Sequence, residues 1–217
     1  MIILDRTEIE ALIDLPTAAS AVEAAYRASS RGEVNLPPVG HIAFADQDAD
    51  CHIKYGHVLG SNSFVIKITT GFPNNTALGL ETGNGLVLVL SAKTGAVQAI
   101  FHDEMRLTDI RTGLGGAVAT RMLVRKDARR VLVIGTGPQA RCQIEAHAML
   151  LGSDVTFEVW GRSVERAEGV VADLANIAVS VTPVLEQTVR DADVIVTTTG
   201  ATAPLVWADW VQAGTHI

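Results

Sequence analysis

Residues 131–134, Val-Leu-Val-Ile, form an unbroken apolar run that passes directly into Gly135-Thr136-Gly137-Pro138-Gln139-Ala140. No other feature limits the possible folds of this chain as strongly. A strand apolar on both sides needs cover on both faces, as in a parallel sheet flanked by helices. The GxGxxA spacing suits the turn from such a strand into a helix. Gly135 permits the tight turn, Gly137 lets the backbone approach a pyrophosphate, and Ala140 keeps the helix close to the strand. Pro138 fits a first helical turn, where its missing N–H is not needed, and the helix start offers N–H groups and a positive dipole end to an anion. The same alternation continues downstream. Helices are expected at 139–151, 164–174 and 185–190, and strands at 155–160, 178–181 and 194–198. Such alternation predicts a parallel sheet with crossover connections. The expected class is therefore α/β, a Rossmann-type doubly wound parallel sheet, with NAD or NADP as its ligand.

The second strand ends in Trp160-Gly161-Arg162-Ser163, where an NAD-binding unit usually places an acid for the ribose 2′-hydroxyl. With no acid there, Arg162 and Ser163 are the expected contacts of an NADP 2′-phosphate, the arginine through charge-assisted hydrogen bonds. The plainer reading, that Ser163 caps the next helix and Arg162 is solvated, is compatible with the first. Thr199, just past the strand at 194–198, joins the expected cofactor contacts.

The front half reads differently. A short strand at 2–4 precedes a helix from near Pro16, with Ala18, Val22, Ala25 and Tyr26 on one face. Strands at 52–58, 64–69, 86–90 and 97–101, separated by turn residues, predict a mostly antiparallel sheet. A helix at 108–123 follows, with Thr108 as its cap, and the charged stretch at 125–130 is the expected boundary between domains 1–125 and 126–217. Lys67 lies among apolar strand residues, where a buried cation must be paired or functional; Lys54 raises the same question. Arg111 is expected in the first turn of its helix, where a cation opposes the dipole and points to an anionic partner. The net charge of −7 comes from scattered acids, which argues against nucleic acid and anionic membrane as partners. No run of eighteen apolar residues and no leader pattern are seen, so the chain is read as cytoplasmic. Cys51 and Cys142, far apart, predict neither a disulfide nor a metal site.

Four motifs occur in order: residues 67–75 (Lys-Ile-Thr-Thr-Gly-Phe-Pro-Asn-Asn), 79–82 (Gly-Leu-Glu-Thr), 107–112 (Leu-Thr-Asp-Ile-Arg-Thr), and the glycine fingerprint with Gln139-Ala140. In this combination the chain resembles the ornithine cyclodeaminase and mu-crystallin family over essentially its whole length. The resemblance implies an α+β domain for dimerisation and substrate binding, joined to the nucleotide domain in a homodimer. It also implies NAD(P)-dependent hydride chemistry at the α-carbon of a small amino or cyclic imino acid. By position, Lys67 and Arg111 would hold the substrate carboxylate, Thr82 would contact the nicotinamide side, and Pro138 and Gln139 would lie against the pyrophosphate.

The chain departs from the family in three places. His41 stands where relatives carry a carboxylate-binding arginine. Residues 112–116, Thr-Gly-Leu-Gly-Gly, replace alanines in a helix, which implies close packing. The catalytic aspartate of the family is expected beyond Ile217, as are the rest of a fifth parallel strand and later helices, so the chain is read as an inactive fragment of a longer protein. The resemblance leaves three activities: an ornithine cyclodeaminase-like reaction, an NADPH-dependent reductase of Δ1-pyrroline-2-carboxylate or another ketimine (or an alanine dehydrogenase), and nucleotide binding without catalysis.

Overall fold

A short strand, β1 (Ile2–Asp5), leads straight into α1 (Arg6–Leu12) in the computed structural model, which describes residues 1–217. The Asp5 carboxylate accepts the Glu8 N–H at 2.9 Å, and the Glu8 carboxylate accepts the Asp5 N–H at 3.0 Å. This reciprocal cap satisfies two donors that the helix start would otherwise leave unpaired. The helix expected near Pro16 is α2 (Leu15–Ser30), capped by Asp14. α1 lies outside the expectations, because seven residues are too few to display a helical apolar period.

Six more strands complete the first sheet: β2 (Val34–Asn35), β3 (Gly40–Phe44), β4 (Ala49–Val58), β5 (Ser63–Gly71), β6 (Gly83–Ser91) and β7 (Val97–His102). Their order is β1-β7-β6-β5-β4-β2, with β3 also on β4. Every pairing is antiparallel except β1 with β7. Directly opposed residues share a face and alternate along each strand. His41 pairs with His52 and Lys54 with Lys67, so His41, Asp50, His52, Lys54, Lys67 and Thr69 all belong to one face.

α3 (Arg106–Leu123) begins two residues earlier than the expected 108. Its N-terminal cap is the buried Asp103, which accepts the Leu107 N–H at 2.9 Å. Thr108 is therefore inside the helix rather than capping it, and Arg111 stands in the second turn. The helix dipole, which acts within the first turn, gives no reason for an anionic partner there.

The chain divides into two compact units, Met1–Thr108 and Asp109–Ile217, so the division falls inside α3 rather than after it. Within the second unit, α3 lies tightly against α4 (Pro138–Leu151). A Cβ on Gly113 would collide with the Cys142 backbone, and one on Gly116 with the Gln143 side chain. Those glycines exist for close packing, as the sequence implied. The charged stretch at 125–130 is no linker either. Asp193 accepts the N–H groups of Arg129 and Arg130 at 2.7 and 2.9 Å and pairs with Arg125, which ties the stretch to the second sheet.

That sheet comprises β8 (Arg130–Ile134), β9 (Thr156–Trp160), β10 (Val179–Val181) and β11 (Val194–Thr197), in the order β10-β9-β8-β11 and wholly parallel. α5 (Val164–Asp173) and α6 (Leu185–Asp191) make the crossovers with α4. Alternate β8 residues feed two cores. Val131 and Val133 pack with Ala140, Ile144, Phe157 and Val170, while Leu132 and Ile134 pack with Val189 and Ile195. Cover on both faces is what the apolar run predicted. His216 bridges Val194 in the parallel sense, in the direction expected of a fifth strand.

Candidate functional site

The turn after β8 is fixed by its neighbours. Gly135 donates its N–H to the Trp160 carbonyl at 2.8 Å, and Thr198 donates its backbone N–H to Ile134 at 2.8 Å. Gly135 has φ +133°, and a Cβ there would run into Thr198, so only glycine fits. Gly137 is different. It is the N-cap of α4 with an ordinary φ of −83°, it offers no side chain to the helix start, and a Cβ on it would meet no protein atom within 4 Å. Packing does not demand that glycine. The open space beside it belongs to a cavity of about 580 Å³ at the C-terminal ends of β8, β9 and β11, where doubly wound sheets bind ligands. A pyrophosphate fits this place, with the start of α4 directed at it.

Of the residues expected at the cofactor, Gly135, Gly137, Arg162 and Thr199 line this cavity together. Pro138 occupies the first turn of α4. Gln139 turns its side-chain amide to the Asp109 carboxylate at 2.7 Å, towards α3. Ser163 caps α5 by accepting the Arg166 N–H at 3.2 Å, the alternative the sequence left open. No carboxylate lines the cavity. The sequence did not single out Arg141, which donates to the Thr136 carbonyl at 3.1 Å and pairs with Asp173 at 2.6 Å, bracing the glycine turn. Nor did it single out Thr198, or give the absent Cβ of Gly161 its role of leaving room for Thr136. Nothing in local spacing marks those three.

In the first unit, Lys67 is half-buried and donates to the Thr108 hydroxyl at 3.0 Å. Asp103 lies buried close by. Burial pushes its carboxyl above the ordinary range, against the opposing effects of the Leu107 N–H, its own backbone, Lys67 and His102. Thr82 lines a second cavity of about 430 Å³ with Asp50, His52, Thr69, Phe72 and Met105. His41 is exposed on β3, its ring stacked on that of His52 with centroids 4.8 Å apart. Arg111 is exposed on α3.

Residues 1–217 match the sequence profile of the ornithine cyclodeaminase/mu-crystallin family. The chain belongs to that family. It is 35% identical to an uncharacterized cyclodeaminase of Sinorhizobium fredii, over all of this chain and 67% of that protein. An archaeal alanine dehydrogenase dimer with bound NAD superposes with a TM-score of 0.89 at 32% identity, covering all of this chain and 66% of that one. The Thermococcus litoralis Δ1-pyrroline-2-carboxylate reductase, in complex with NADH and L-proline, superposes at 0.92 with 26% identity, over all of this chain and 67% of that one. The chain thus spans about two thirds of the length of these relatives. No helix is long and apolar enough to cross a membrane.

Proposed function

We propose that this chain is the cofactor-binding and substrate-binding part of an NAD(P)-dependent enzyme that acts at the α-carbon of a small amino or cyclic imino acid, as a cyclodeaminase-like member of its family. The observation that carries the reading is the cavity over Gly137, bounded by a glycine turn and a helix start. Gly135, Gly137 and the N-terminus of α4 hold the pyrophosphate, Thr198 and Thr199 flank it, and Arg162 takes the adenosine ribose side. When bound, the nicotinamide supplies or accepts hydride. Lys67 and Arg111 hold the substrate carboxylate, with His41 in the place of the family's arginine and Thr82 on the nicotinamide side. Fixing a carboxylate with cations orients the α-carbon, which is the positioning that hydride transfer needs.

A second reading is an NADPH-dependent ketimine reductase. Arg162 favours it, since it lines a cavity without a carboxylate and offers a 2′-phosphate a charge-assisted contact. We further infer a homodimer formed through the first unit, whose exposed Ile42, Phe44 and Tyr55 leave apolar sheet surface in solvent.

Nucleotide fluorescence titrations with NADPH and NADH test the cofactor site. Gly137→Ala is expected to melt like the wild type yet bind nucleotide at least tenfold more weakly, because its methyl group enters ligand space alone. Unchanged affinity would remove the cofactor from this cavity. Arg162→Ala is expected to abolish a preference for NADPH; tighter NADH binding by the wild type would sink the 2′-phosphate assignment. Ammonia release from ornithine against NADPH consumption with Δ1-pyrroline-2-carboxylate then separates the two activities.

A further inference from the structure

The strand register brings together three ligating side chains, of which the proposed substrate site uses only His41. Asp50 and His52 alternate along β4 and so share a face, and His41 on β3 is the directly opposed partner of His52. One donor atom from each of the three lies within 4.8 Å of the others. The His52 Nδ1 and the Asp50 carboxylate are 3.6 Å apart, close to the ~3.3 Å edge of a tetrahedron with metal–ligand bonds of about 2.0 Å. The His41 ring stacks on that of His52, with centroids 4.8 Å apart and an interplanar angle of 27°, so a turn of the His41 ring is needed to bring its nitrogen to the same point. Exposure of His41 leaves its ring free to make that movement.

We propose that His41, Asp50 and His52 form a binding site for a divalent first-row transition ion, with Zn²⁺ as the reference occupant. Two imidazoles and one carboxylate are the nitrogen and oxygen donors such ions select, and the single acid makes the set too poor in oxygen for Ca²⁺ or Mg²⁺. Three protein ligands leave at least one coordination position open, as in sites where the ion meets water or an exogenous ligand. Asp50 and His52 also line the second cavity, so the open position faces a space of about 430 Å³. An ion there would offer an incoming carboxylate a full positive charge at that open position. The site stands on its own ligands and does not depend on the dinucleotide reading.

The test is direct binding, without substrate or nucleotide. Titration of the metal-free protein with Co²⁺, followed by visible absorption and displaced by Zn²⁺, is expected to give one equivalent with imidazole-bound Co²⁺ bands. His52→Ala and Asp50→Asn are each expected to weaken binding at least tenfold. His41→Asn, at an exposed position that tolerates substitution, does the same and keeps the test decisive if a β4 variant fails to fold. Binding by His41→Asn within twofold of the wild type, or no binding below millimolar Co²⁺, would overturn the site.

Discussion

His147 is fully buried on α4 with both ring nitrogens engaged. Its Nδ1 lies 2.7 Å from the Gln143 carbonyl, which can only accept, so Nδ1 carries the proton. Nε2 then accepts from the Thr120 hydroxyl at 2.9 Å, which ties α4 to α3 through a neutral imidazole. Burial holds its pKa below the ordinary 6.5; the Gln143 carbonyl opposes this and His216 adds to it. A depressed histidine pKa means the unfolded chain binds the extra proton first. Stability from His147 is complete above pH 6.5 and is lost as pH falls from there through the folded value. Thermal melts from pH 7.5 to 5 are expected to show that decline, and His147→Gln to flatten it. Asp103 has the opposite sign. Its raised pKa contributes stability below 3.8 that is lost as pH rises through the folded value. Asp103→Ala also removes the α3 cap and is expected to cost about 1 kcal/mol in chemical denaturation, while Asp103→Asn keeps an acceptor and loses less.

The elements of the second unit meet through missing side chains. Gly113 and Gly116 let α3 approach the α4 backbone and Gln143. Gly113→Ala is expected to destabilise the chain by about 2 kcal/mol, since the methyl would need Cys142 backbone to move. A helix-propensity scale alone predicts the reverse sign, so a denaturant midpoint separates the two accounts. Gly135 and Gly137 give a matching contrast in the glycine turn. Gly135→Ala is expected to lower the melting temperature and abolish nucleotide binding together, because both its φ and Thr198 exclude a side chain. Gly137→Ala separates the two effects.

At the scale of the whole molecule the two units differ in how they hide apolar surface. The second has two continuous cores, one on each face of its sheet. In the first, the buried apolar side chains are Ile9, Ala19, Ala49 and Ala99, and larger ones on the β3 and β4 strands face solvent. A surface of that kind is expected to be covered by a second copy. Light scattering after size exclusion is expected to find a dimer, and Phe44→Asp to shift it towards monomer; a wild-type monomer at micromolar concentration would refute the inferred interface.

The fingerprint at 135–140, the strand–helix alternation around it and the antiparallel front sheet were legible in the sequence, because periodicity and turn chemistry are local properties of the chain. The apolar run at 131–134 even implied cover on both faces. Roles that depend on a distant partner were not legible. Gln139 turned to Asp109, 30 residues away, and the 125–130 stretch to Asp193, 63 residues from Arg130, while Asp103, buried by the fold, took the α3 cap from Thr108. The His41, Asp50 and His52 cluster likewise depends on which residue of β3 faces which residue of β4. Strand register is set by pairing across the sheet, and a one-residue slip would send His41 to the other face. The sequence alone determined the nucleotide fold and most of the elements; only the tertiary structure decided which side chains share a surface, since donors and acceptors remote in sequence compete for each group once the chain is folded.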